Sequence, residues 1–203
     1  LDRWQEKWDN LPTIKGNLSD GLLKTLDTTS KVEKKVDTTN TEAYEFYLRA
    51  KHKYNKRKNI DDTEIARGLL NKAIELDDNL IIAKNLLGFT YFKMGDYEKT
   101  MEIYTSSLKQ AEKLGNKHEI AVSLKGISFA YYNKGDFDKA LDYTERSFAV
   151  SEELGGKNEM GQCLQNIGWI YTDKGDYNKA LDYHNRGLKI HKELDVKLFI
   201  LNG

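Results

Sequence analysis

Apolar and polar positions follow a helical period along most of this chain. From Leu80 onward, apolar residues recur three and four positions apart, and each run stops at a glycine or a Gly-Asp pair. Three of these stops are nearly identical: Lys93-Met94-Gly95-Asp96-Tyr97, Asn133-Lys134-Gly135-Asp136-Phe137 and Asp173-Lys174-Gly175-Asp176-Tyr177. Their glycines stand 40 residues apart each time. The flanks repeat as well. Leu87, Ile127 and Ile167 precede the glycine by eight positions, Gly88, Ser128 and Gly168 by seven, and Tyr91, Tyr131 and Tyr171 by four. Tyr97, Phe137 and Tyr177 follow by two, Thr100, Ala140 and Ala180 by five, and Leu108, Phe148 and Leu188 by thirteen. So many matches at fixed offsets define an internal repeat.

Each unit predicts two helices split by a tight turn. Glycine ends the first because it accepts positive φ without a Cβ clash, and aspartate caps the second by accepting backbone N–H bonds. The small residues Gly88, Ser128 and Gly168, with Ala140 and Ala180, let the two helices approach closely, and the aromatic residues fill the wedge between them. A second break is expected at Leu114-Gly115-Asn116, Leu154-Gly155-Gly156 and Leu194-Asp195-Val196. The fold class is therefore all-α.

This pattern resembles the tetratricopeptide repeat, whose helix–turn–helix unit carries a Leu-Gly-x-x-Tyr core, a Gly-Asp-Tyr turn and an alanine in its second helix. The resemblance covers roughly residues 80–195 in three full units. The common unit is about 34 residues; this one has a longer second helix and lacks the usual closing proline. The long form is similar to the repeats of Rap-type bacterial regulators, kinesin light chains and the Pins/LGN spindle proteins. The implied architecture is an αα solenoid, a right-handed superhelix of antiparallel helix pairs.

The expected organisation is an N-terminal extension with a short helix and linker (1–40), a degenerate repeat (41–79), three repeats (80–119, 120–159 and 160–195) and the start of a truncated further repeat (196–203). The degenerate unit rests on Tyr44, Tyr47, Leu48 and Tyr54 in one helix and on Ile65, Ala66, Leu69, Leu70, Ala73, Ile74 and Leu76 in the next. Its turn near Lys58–Asp62 is longer than the family's, and the Asp37-Thr-Thr-Asn-Thr stretch can cap its first helix. The order from Trp4 through Ile14, a short helix, then Thr41 through Ala50 resembles a junction in some bacterial signalling proteins. There a nucleotidyl cyclase or transcription-factor module precedes the repeats through a small α/β domain. The plainer reading of 1–40 is a capping helix with a linker. Because Val196–Gly203 lacks a polar outer face, the natural chain is expected to continue, and this apolar edge can pair with another copy to form a homodimer.

Composition narrows the function. Lys plus Arg and Asp plus Glu are 32 each, a net charge of zero, which argues against broad attraction to nucleic acid. No run of roughly 18 apolar residues exists to span a membrane. The single cysteine, Cys163, is too few for a disulfide framework or a cysteine-based zinc site and fits a reducing cytoplasm. Its helical setting without a basic neighbour in sequence reads as a structural thiol. His52, His118, His184 and His191 show no convergent metal-ligand spacing, and His184 takes the helix-interface position that holds Tyr104 and Thr144 in the other units. No phosphate loop, dinucleotide motif or calcium loop is present, so no cofactor, metal or catalytic residue is expected. The basic stretch Lys51–Lys58 reads as a solvated helix face open to a weak anionic contact.

What remains is recognition of a protein or peptide. In the family, first helices line a concave groove, and residues just after the small packing residue point into it. The resemblance places Phe89, Phe129 and Trp169 there, with Asn85, Phe92, Lys125, Tyr132, Asn133, Gln165 and Asn166 beside them. Aromatics supply contact area at low entropy cost, and amides bond a backbone. Chaperone-carboxylate clamps of this family carry asparagine where Phe89, Phe129 and Trp169 stand, which disfavours that subtype. The expected function is a scaffold holding a peptide or protein segment in the groove. The alternative is a regulatory segment of a larger signalling protein, such as a nucleotidyl cyclase or transcription regulator.

Overall fold

The computed structural model describes residues 40–202, with side chains through Leu194. Expectations for residues 1–39 lie outside the described residues. The described residues form eight helices and no strand: α1 (Thr41–Asn55), α2 (Ile60–Leu76), α3 (Ile81–Lys93), α4 (Tyr97–Leu114), α5 (Lys117–Asn133), α6 (Phe137–Glu153), α7 (Lys157–Asp173) and α8 (Tyr177–Asn202). Each helix packs on the next in sequence, and α3 also touches α5.

The repeated turn behaves as the pattern predicts. Gly95, Gly135 and Gly175 adopt φ of 79°, 79° and 80°. Asp96 Oδ1 then accepts from the Lys99 N–H at 2.9 Å, and Asp136 and Asp176 accept from Lys139 and Lys179 at 3.2 Å each. The α1–α2 turn has no glycine. Asn59 caps α2 by accepting from the Asp62 N–H at 2.9 Å, and Asp62 pairs with Lys53 at 2.6 Å. Asn40 caps α1, accepting from the Ala43 N–H at 3.1 Å, and donates to the Leu76 carbonyl at 2.9 Å.

One boundary differs from the pattern. Gly115 and Gly155 end α4 and the α6 turn with φ of 66° and 65°. At the corresponding place stands Asp195, for which that conformation costs more than for glycine. The helix therefore runs on through Asn202, and residues 196–202 prolong α8 instead of opening a new helix.

Packing follows a size rule between facing positions. Tyr104 sits against Gly88 and Gly126; a Cβ added at Gly126 would lie 2.4 Å from its ring. His184 sits against Gly168, where an added Cβ would be 2.6 Å away. In the middle unit both partners are small: Ser128 Oγ lies 2.6 Å from Thr144 Oγ1 and donates to the Ala140 carbonyl at 2.9 Å. A buried cluster of Tyr104, Leu108, Leu124 and Ile127 joins α4 to α5. Arg67 locks the first pair to the second. Its Nε donates to Thr90 Oγ1 at 2.9 Å, its Nη2 to the Thr90 carbonyl at 3.0 Å, and its guanidinium lies 3.8 Å from the Tyr91 ring centre. Seams between neighbouring helices, within pairs and between them, also carry ion pairs. Lys117 meets Glu153 at 2.9 Å and Lys157 meets Glu193 at 3.0 Å, while Lys134 pairs with Glu98 and Lys174 with Asp138.

Candidate partner-binding groove

The first helices α1, α3 and α5 bring aromatic rings into one continuous line. Tyr54 meets Phe89 edge-on at 6.1 Å, Phe89 stacks on Phe92 at 6.4 Å, and Phe92 reaches across to Phe129 at 5.8 Å. Such separations are typical of favourable ring pairs. The line is partly open: Phe89 is 38% exposed, while Phe92 and Phe129 are half-buried. Tyr54 is buried, and its hydroxyl has no hydrogen-bond partner among the described residues. Arg57 lies 3.9 Å from the Tyr54 ring centre, and the Lys93 ammonium lies 5.4 Å from Phe89 and 6.0 Å from Phe92.

Polar residues continue the same surface on α5 and α7. Tyr132 donates its hydroxyl to Asp173, and this bond, with burial, pushes the phenol up to about 12. Asn133 donates to the Phe129 carbonyl at 2.8 Å and accepts from the Tyr97 hydroxyl at 3.3 Å. Lys125 donates to Gln162 Oε1 at 3.1 Å. Gln165 packs on Gly187 of α8, and Asn166 is half-buried on α7.

Two expected groove residues behave otherwise. Asn85 is only 5% exposed. Its Nδ2 donates to Glu119 Oε2 at 2.6 Å, and its Oδ1 accepts from Ser123 Oγ at 3.0 Å. It is a bridge between α3 and α5, with no free amide edge for a ligand. The reason is the buried Glu119 carboxylate, which needs a donor. Trp169 is 57% exposed but does not extend the line of rings; it meets His184 of α8 edge-on at 5.2 Å.

Tyr54 and Tyr47 are members of this region that the repeat register did not assign. Tyr54, Phe92 and Tyr132 are each the next-to-last residue of a first helix, which is the signal that marks them. It is hidden in α1 because that turn has no glycine to anchor the alignment. Tyr47 is pushed up to about 12 by burial, then by Tyr44 and Glu119, and so lies near the Asn85 bridge.

Cys163 is buried with its thiol 3.6 Å from Ser147 Oγ, and burial pushes its pKa up, away from the reactive thiolate. Among the described residues, no three of His, Cys, Asp and Glu converge as metal ligands, and no helix is long and apolar enough to cross a membrane.

The Tetratricopeptide repeat family matches residues 79–153 and again 119–193. No curated protein matches the chain. Among solved structures, aspartyl phosphate phosphatase F from Bacillus subtilis is similar with a TM-score of 0.68 and 19% identity, over 81% of this chain and 43% of that one. BtubC (BKLC) from P. vanneervenii is similar with a TM-score of 0.64 and 20% identity, over 75% and 64%. MamA is similar with a TM-score of 0.58 and 20% identity, over 75% and 80%. These identities establish likeness of fold. The chain spans less than two thirds of the phosphatase and of BtubC.

Proposed function

The chain belongs to the tetratricopeptide repeat family, and on that footing we propose that it is a protein-interaction scaffold that holds a peptide or protein segment along the first helices α3, α5 and α7. The observation that carries this reading is the line of rings from Tyr54 to Phe129, which leaves Phe89 partly open although its neighbours are packed. Large, rigid rings held by their own neighbours give contact area with little entropy left to lose. Trp169 adds a second anchor farther along. The test is the Phe129→Ala and Trp169→Ala double variant. Loss of roughly thirtyfold or more in affinity for a partner, with helicity kept, is the expected result for two anchor residues. Unchanged affinity defeats the reading.

We propose further that the outer face of α8 mediates pairing between two copies. Tyr177, Leu181 and Leu188 are exposed there, whereas their counterparts Phe137, Leu141 and Phe148 are partly covered by the next unit. A concentration-dependent rise in mass by light scattering, abolished in Leu181→Glu, supports it. A monomer at millimolar concentration (on the order of 1 mM, where even weak apolar contacts register) rejects it.

A further inference from the structure

Charge is distributed unevenly along the groove. At the seams between helices, Lys117, Lys134, Lys157 and Lys174 each have a carboxylate partner. Arg57 and Lys93 do not: among the described residues, neither has a carboxylate within ion-pair distance. Both are exposed and lie over rings of the aromatic line, and Arg57 Nη1 also donates to the Tyr54 carbonyl at 2.7 Å. The position two before the turn glycine reads Lys93, Asn133 and Asp173 in successive units, so its charge passes from positive through neutral to negative. Asn133 is tied to Phe129 and Tyr97, and Asp173 accepts from Tyr132. Among the described residues, the cationic end has no counter-charge, while Lys125 between the two ends bonds the neutral Gln162.

An ammonium or guanidinium over a ring face gains from the ring quadrupole while keeping its outer side free for an anion. A carboxylate arriving at either cation meets it beside an apolar surface, where water is partly excluded and the attraction is less screened than in bulk. Asp173 repels the same group at the far end. Broad polyanion binding is not favoured, because the chain has no net charge and the groove ends in an acid.

We propose that the segment held in the groove is an acidic peptide, with an apolar residue seated on Phe89 and Phe92 and a neighbouring carboxylate on Lys93 and Arg57. Its acidic end lies toward α1 and its neutral or basic end toward Asp173. This rests on the groove reading above and adds the partner's chemistry and direction.

The experiment is selection from an unbiased displayed peptide library on the full chain, with affinities of enriched peptides then measured by fluorescence anisotropy. Three variants are compared: Arg57→Glu/Lys93→Glu, Asp173→Lys, and Phe89→Ala/Phe129→Ala. The expected peptides carry Asp or Glu within a few positions of an apolar residue. The double charge reversal weakens them roughly tenfold, as two partly screened ion pairs would. It also selects basic peptides when used as bait. Asp173→Lys leaves affinity equal or higher. Enriched peptides that are neutral or basic, yet depend on Phe89 and Phe129, overturn the acidic partner and leave the groove standing. Peptides indifferent to all three variants, or an empty selection, overturn both. Binding of a single-stranded oligouridylate in place of any peptide overturns the choice of partner class.

Discussion

Tyr104 of α4 lies between Gly88 of α3 and Gly126 of α5, close enough that a Cβ at Gly126 would fall 2.4 Å from its ring. The ring cannot retreat, because it belongs to the buried cluster with Leu108, Leu124 and Ile127. Gly126→Ala is therefore expected to lower stability by about 1–3 kcal/mol, the usual cost of overpacking. Tyr104→Thr, which copies Thr144 of the next unit, removes the obstacle but opens a cavity. In urea unfolding the two changes together should cost less than their sum. Strict additivity would show that the ring and the glycine are not coupled.

The Asn85–Glu119 bridge gives a second test. Asn85→Ala leaves a buried carboxylate without its 2.6 Å donor, and a loss of about 1–3 kcal/mol is expected. Glu119→Gln keeps an acceptor in place and should cost less. If Asn85→Ala instead weakens partner binding at unchanged stability, the residue faces the ligand after all.

Tyr132 should report its bond to Asp173 at alkaline pH. The phenol is held to about 12, above its ordinary 10.0, so the folded state favours the protonated form. That contribution is complete below the ordinary value and disappears as pH rises through about 12. In tyrosinate absorbance, Tyr132→Phe should remove a late-titrating group, and Asp173→Asn should bring that group's titration to lower pH. A single titration near the ordinary value in the wild type would contradict the bond.

Acid should loosen the repeated turns. Asp136 and Asp176 are held below their ordinary 3.8 by the side chains, and then the backbone, of Lys139 and Lys179; Glu98 is held below 4.5 mainly by Lys134. Their contribution is present above those ordinary values and is lost as pH falls through the lower folded ones. Thermal melts should be level from neutrality to weak acid and fall below that range. Asp136→Ala/Asp176→Ala should lower the melt at neutral pH and narrow the difference between neutral and acid. A difference as wide as in the wild type would assign acid sensitivity to other groups.

The aromatic groove was legible in part. Phe89 and Phe129 sit at equal offsets from equal turns, and a repeating chain returns equal offsets to one face; Phe92, three residues after Phe89, bridges the two. Trp169 has the same offset but meets His184 of α8 edge-on and does not join the line. Tyr54 belongs to the line, yet its helix lacks the turn glycine from which the others can be counted.

The sequence by itself determined the helices, the Gly-Asp turns and the all-α repeat. These depend on interactions within four or five residues: a helical apolar period, a glycine at positive φ, an aspartate bonding the N–H three residues on. Tertiary structure alone decided which polar groups remain open. Asn85 is taken by Glu119, 34 positions away. The seam lysines are taken by carboxylates 36 positions away. Among the described residues, Arg57 and Lys93 meet rings and, for Arg57, the Tyr54 carbonyl, but no carboxylate. A side chain's partner depends on which distant residue packing brings within reach, and local pattern carries no measure of that distance.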